Sequence, residues 1–304
     1  MNKEICFFKD IVKRYNIHEI ADYINWIYFF HAWSFPMEFA SVAKIHECCS
    51  CRKQWVDAFE EKDRCKASEA IKLYDAACLM LSELESKYSV RALFRLYDAC
   101  SDGDDLICGG VRVPMLRQQK AGADGYCLCL SDYVPPAEMN LNKYVGIFVA
   151  SADEALETLY EDDVFNKLLV RTLADRLAEA ATECLHEEVR KSIWGYAPDE
   201  KLSMDSIHRE EFQGIRPAVG YPCLPDVSLN FILNELLDFS RIGVSLTETG
   251  MMRPHASVCG LMFDHPKARY FSVGNIGEDQ LADYAQRRGM DIEEMRTYLA
   301  RNLE

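Results

Sequence analysis

Apolar residues along the chain follow two rhythms, one helical and one extended. From Ala67 to Tyr88 they recur at Ala70, Leu73, Tyr74, Ala77, Met80, Leu81 and Leu84, the 3.6-residue period that lays one helix face on a core. A second helix is predicted from about Val170 to Tyr196. Its stripe is Leu173, Leu177, Ala181, Cys184, Leu185, Val189 and Ile193, and Asp175 and Glu179 stand one turn apart away from that stripe. The run Tyr144 to Ala150 is short, apolar and largely β-branched or aromatic, as in a strand covered on both faces. Ala256 to Phe263 and Arg269 to Ile276 have the same character and flank Asp264-His-Pro-Lys-Ala268, which predicts an antiparallel hairpin. After it, Asp279 to Arg288 reads as a helix closed by Gly289, and Asp291 with Glu294 resembles the capping box of a final helix. Strands and helices mix without βαβ alternation, so the expected class is α+β with an at least partly antiparallel sheet.

No repeat and no Pro-, Gly- or Ser-rich linker divides the 304 residues. The simpler reading is one domain over 1–304, mainly helical over 1–90 and α+β over 91–304. With 49% hydrophobic residues the chain can bury a core, which excludes wholesale disorder. The formal net charge of −15 argues against nucleic acid as a partner. The longest apolar runs fall well short of the roughly 20 residues a membrane helix requires, and Met1 to Asp10 lacks a signal-peptide pattern. The expected compartment is the cytoplasm, where the 13 cysteines would be thiols. His46, Cys48, Cys49, Cys51 and Cys65 form a dense patch of zinc-type ligands. The spacing is read as offering no C-x-x-C and no second pair at finger or ribbon separation, so the patch is expected to be reduced thiols of an irregular segment, with no metal.

The common nucleotide, zinc-protease and hydrolase signatures are absent: no G-x-G-x-x-G after a strand, no P-loop, no H-E-x-x-H and no G-x-S-x-G. His186-Glu187-Glu188 has no second histidine four residues on and reads as a solvated helical face. The informative segment is Gly214-Ile-Arg-Pro-Ala-Val-Gly-Tyr-Pro-Cys-Leu-Pro225, whose prolines and glycines impose an extended path of fixed shape. There Arg216 offers a planar fork suited to a carboxylate, Gly220 permits close backbone approach, and Tyr221 supplies a ring. Such a set suits an amino-acid-bearing ligand. On local composition alone, the plainer reading is a rigid surface crossing in which Arg216 pairs with a neighbouring acid and Tyr221 packs.

The Arg-Pro-x-x-Gly-Tyr segment resembles the S-adenosylmethionine-binding signature of the reactivation domain of cobalamin-dependent methionine synthase. Further resembling segments follow the same order: Tyr23-Ile-Asn-Trp26, Leu116-Arg-Gln-Gln119, Ala174 to Ala180, Trp194-Gly-Tyr-Ala-Pro198, Leu246-Thr-Glu248 and Ala256-Ser-Val258. The resemblance implies a single C-shaped α+β domain around a twisted antiparallel sheet, with S-adenosylmethionine in a shallow groove. It implies a role in reductive methylation of cob(II)alamin, with an electron from a flavodoxin-like donor and the cobalamin carried by a partner methionine synthase chain. Carried over by position, Arg216 would grip the ligand carboxylate, Ala218 to Gly220 and Tyr221 would line the site, and Glu179 and Tyr270 would contact the ligand. Asn25 stands where the family usually has Asp, which replaces a carboxylate paired with the ligand ammonium by a neutral group. Met252, Pro254 and His255 match a stretch near the corrin and would face cobalamin. A chain filled by this domain has no room for the homocysteine, folate and cobalamin modules, so methionine would not be made by it alone. The alternatives are a non-catalytic S-adenosylmethionine-binding or corrinoid-protein-interaction module, or a reactivase of another corrinoid methyltransferase.

Overall fold

The computed structural model describes residues 9–122, 125–139, 141 and 143–303. Strand β1 (Ile11–Asn16) leads into a short helix α1 (Ile17–Ile20), where the Glu19 carboxylate accepts from the Asn16 N–H at 2.7 Å. Helix α2 (Trp26–Ala32) is capped by Asn25, whose side-chain oxygen accepts from the Ile27 N–H at 3.1 Å. Helix α3 (Cys49–Asp57) follows, and then α4 (Arg64–Glu85), the first predicted helix displaced by about one turn towards the N-terminus. Its buried stripe includes Ala70, Leu73, Ala77, Met80, Leu81 and Leu84, all expected from the pattern.

Strand β2 (Ser89–Asp102) organises the sheet, although the sequence pattern did not announce it. Its first half pairs with β1 and its second half with β3 (Asp105–Cys108), which in turn pairs with β4 (Val111–Pro114). Along its other edge runs β5 (Tyr144–Ala152), the predicted doubly covered strand, buried from Val145 onward. All pairings in this curled sheet are antiparallel. Side chains alternate between its faces with the two-residue period of a strand. Phe94, Leu96, Phe148 and Ala150 enter one core beneath α4 and α5 (Val164–Glu188), while Leu93, Val145, Ile147 and Val149 enter a second. Helix α5 ends earlier than the predicted Tyr196, and its last carbonyls are met by a wider π-turn over Val189–Ile193.

The chain then adds α6 (Met204–His208) and α7 (Leu229–Leu237), then a two-stranded ribbon of β6 (Ser245–Leu246) with β7 (Met252–Arg253). Strand β8 (Ser257–Met262) returns to the main sheet beside β5. Helices α8 (Glu278–Arg288) and α9 (Ile292–Tyr298) close the fold, with Gly289 left-handed at the first stop and Asp291 capping the second start, as expected.

The predicted hairpin of Ala256–Phe263 with Arg269–Ile276 does not form. The free edge of β8 is already taken by the Gly214 segment, through antiparallel bridges Ile215 to Phe263 and Ala218 to Gly260. Residues 269–273 dock instead on that segment, where the Val273 N–H donates to the Pro222 carbonyl at 2.9 Å. No helix among the described residues is long and apolar enough to cross a membrane.

Candidate functional site

Two elements face each other across a cleft of about 600 Å³, within the range of small-molecule sites. One wall is α5, where Arg176, Glu179 and Glu183, spaced by three and four residues, share a face. The other is the segment 214–224, which hugs β8 as if it were one more strand. The Val219 N–H donates to the Cys259 carbonyl at 2.9 Å, and the Leu261 N–H to the Pro217 carbonyl at 3.0 Å. This approach depends on a glycine that sequence reading did not single out. A Cβ on Gly260 would lie 2.2 Å from the Pro217 oxygen, so any side chain there would push the segment away. Gly220 has a different task from the expected close approach: at φ +87° it turns the chain, and a Cβ there would meet nothing nearer than 4.0 Å.

The two walls are joined by charge. Arg216 donates from Nε and Nη2 to Glu183 at 3.1 and 2.7 Å, and its Nη1 stands 3.5 Å from Glu179. Its backbone N–H donates to the Tyr270 hydroxyl at 3.0 Å, and the Tyr221 hydroxyl donates to Glu179. The surface-crossing reading therefore holds in part: Arg216 does pair with acids, but these acids line the cleft. Arg216 and Glu183 are only 14% and 12% exposed, which makes their pairing strong and costly to break. Burial would raise the Glu183 carboxyl, but the Arg216 charge beside it prevails and holds it at about 2. Burial raises the Tyr270 hydroxyl above the ordinary tyrosine value, against the pull of Arg216.

His186 departs from the expected solvated face. It is fully buried, with its ring edge-on to Phe212 and its Nε2 3.3 Å from the Tyr196 hydroxyl. Desolvation holds it down at about 4, hence neutral at pH 7, despite the opposing pull of Glu183. The π-turn is tied to the segment after it: the buried Arg190 stacks over Phe212 at 4.3 Å and pairs with Glu200 at 2.7 Å.

Six of the sequence-selected residues line this one cleft: Asn25, Glu179, Arg216, Ala218, Tyr221 and Tyr270. Gly220 shapes the turn between Ala218 and Tyr221 without lining it. Among the lining residues that were missed, three carry charge, namely Arg176, Glu183 and Glu210. Glu183 was findable, because it lies one turn beyond Glu179. Glu210 sits in a left-handed turn at φ +58° for which the sequence carries no signal. Met252, Pro254 and His255 do not line the cleft; they belong to the β7 ribbon and the turn after it, where the His255 N–H donates to Glu157 and its ring lies 3.7 Å from Asp175.

The model of the vitamin B12-dependent methionine synthase activation domain matches residues 16–289, which takes in every cleft residue named above. The chain belongs to this activation-domain family. A solved structure titled as the MetH reactivation domain bound to AdoHcy is similar to it at 34% identity, with a TM-score of 0.84 over 98% of this chain and 91% of that one. The likeness extends through the curled antiparallel sheet and its flanking helices, so the resemblance seen in the sequence holds for the fold as a whole. In this activation domain, then, the Arg216 segment, α5 and the N-terminus of α2 together form the cleft.

Proposed function

We propose that the cleft between α5 and the Arg216 segment binds S-adenosylmethionine and presents its methyl group to a cobalamin carried by a partner module. The single observation that carries this reading is the balance of charge. Three carboxylates, Glu179, Glu183 and Glu210, line the cleft against two guanidiniums, Arg176 and Arg216. A ligand with a sulfonium, an ammonium and one carboxylate has a net positive charge and complements that excess. The ligand carboxylate would take Arg216 Nη1 in exchange for its 3.5 Å contact with Glu179, Glu179 and the Asn25 side chain would turn to the ligand ammonium, and the Ala218 backbone with Tyr221 would meet its flat parts. The similar AdoHcy-bound reactivation domain supports the choice of ligand.

The role of the chain is positioning. A partner's cobalamin, once taken down from the cob(II) state by one electron from a donor of the flavodoxin kind, would supply the electron pair that takes the methyl cation, leaving S-adenosylhomocysteine. The residues of the cleft hold the sulfonium and keep its methyl side open to the partner. The test is transfer of label from S-adenosylmethionine, labelled at the methyl group, to a cobalamin-carrying protein under reducing conditions. Transfer that needs this chain and falls in Glu179→Gln supports the reading. S-Adenosylmethionine binding without transfer to any cobalamin protein favours a non-catalytic module.

A further inference from the structure

Away from the cleft, the fold gathers part of the cysteine patch. The His46 ring, Cys48 Sγ and Cys51 Sγ offer three ligand atoms that all lie within 4.8 Å of one another. The expectation of no C-x-x-C was wrong: Cys48-x-x-Cys51 is one, with Cys48 at the N-cap of α3. A tetrahedral ion with metal–sulfur bonds of about 2.3 Å and metal–nitrogen bonds of about 2.0 Å needs donor separations of roughly 3.5 to 3.8 Å. The three atoms are therefore within about 1 Å of closing on one ion.

The backbone already holds this arrangement. The Cys48 N–H donates to His46 Nδ1 at 3.2 Å, and the Cys51 N–H donates to Cys48 Sγ at 3.4 Å. An N–H aimed at a sulfur is the outer-shell contact that steadies a thiolate ligand. The surrounding structure also leaves a place for such an ion to act. Helix α3 has nine residues and none of them is buried, too few to be stable without support. Its later turns are supported: Arg52 pairs with Asp75 at 2.5 and 2.6 Å, and Trp55 packs on Phe59, which stacks on Phe39. Its first residues, Cys49 to Cys51, precede that ion pair and are capped by the Cys48 sulfur.

We propose that His46, Cys48 and Cys51 form a binding site for one thiophilic divalent cation of the zinc class. Two thiolates neutralise the ion, imidazole supplies the third ligand, and the fourth position is open to water. The site clamps the first turn of α3 to the chain before it. It is independent of the S-adenosylmethionine reading, because none of its three residues lines the cleft.

The test uses the full chain, reduced, stripped with a chelator and titrated anaerobically with Co²⁺. The expected result is a thiolate-to-cobalt charge-transfer band with tetrahedral d–d absorption, saturating at one equivalent and displaced by Zn²⁺. Cys48→Ser, Cys51→Ser and His46→Ala should each weaken binding about tenfold or more, while Cys127→Ser, far along the chain, leaves it unchanged. Circular dichroism verifies that each variant is folded, and Zn²⁺ should raise the melting temperature of wild type but not of Cys48→Ser. Absence of a saturable band in the reduced protein overturns the proposal. So does a band that survives in both Cys48→Ser and Cys51→Ser, which would assign the metal to other thiols.

Discussion

The two walls of the cleft and the α3 segment are built on opposite principles. Arg216 is held by two carboxylates through its side chain and by Tyr270 through its backbone, and the segment that carries it is bonded along β8. Several contacts fix each functional group, and removing Arg216 itself leaves Glu183 as a buried charge without its partner. Helix α3 lies on the outside of α4, with no buried residue and one bidentate ion pair. The difference teaches that the cleft is preorganised at the cost of buried charge, whereas α3 is held from outside by its ion pair and by Trp55 on Phe59.

The sharpest way to break this comparison is Arg216→Ala. It leaves Glu183 without its cation at 12% exposure, and denaturant unfolding should register a loss of about 3 to 5 kcal/mol. Acid titration sharpens the same point. Glu183 has its carboxyl depressed from 4.5 to about 2, so its contribution is complete above 4.5 and is lost as the pH falls towards 2. That contribution is about 3 kcal/mol. His186, depressed from 6.5 to about 4, acts in the same direction in a higher window, because the unfolded chain takes up its proton first. Wild type should lose stability in both windows. Arg216→Ala should flatten the lower one, and His186→Phe the upper one.

Next in size is Gly260→Ala, which places a methyl group against the Pro217 carbonyl. A stability loss of about 1 to 3 kcal/mol and a fall in ligand affinity of about tenfold or more are expected, from melting and calorimetry. Glu179→Gln removes a charge without removing bulk and should weaken S-adenosylmethionine binding by about tenfold, with little change in melting. The smallest effect has the opposite sign. Asn25→Asp keeps the cap on α2 and adds a carboxylate at the cleft, so binding should tighten several-fold, by about 1 kcal/mol. A variant that binds no more tightly would remove Asn25 from the ligand's ammonium.

Much of this architecture was legible in the sequence because it rests on local periodicity. Helices α4, α5, α8 and α9 and strand β5 each have a stripe, a run or a cap that one window reveals. The edge of β8 was not legible in this way. Arg269–Ile276 has the composition of a strand, yet its place is taken by Gly214–Leu224, and no local pattern records which of two segments wins an edge. Glu183 and His186 show the same limit on α5. Their burial depends on Arg216 and on the turn after Val189, which arrive from elsewhere in the chain. The Arg216 segment stood out because prolines and glycines fix a path whatever surrounds it, but its assignment to a ligand cleft came from the resemblance to the activation-domain family. Glu210 was missed because it enters through a tertiary turn.

Calorimetric titration of the folded chain with S-adenosylmethionine, beside Glu179→Gln and Arg216→Ala, tests the central claim most directly. Saturable binding at one site, weakened about tenfold in Glu179→Gln and lost in Arg216→Ala, is the result the account predicts. Wild type that is folded and shows no binding, or binding equal in all three proteins, would contradict it.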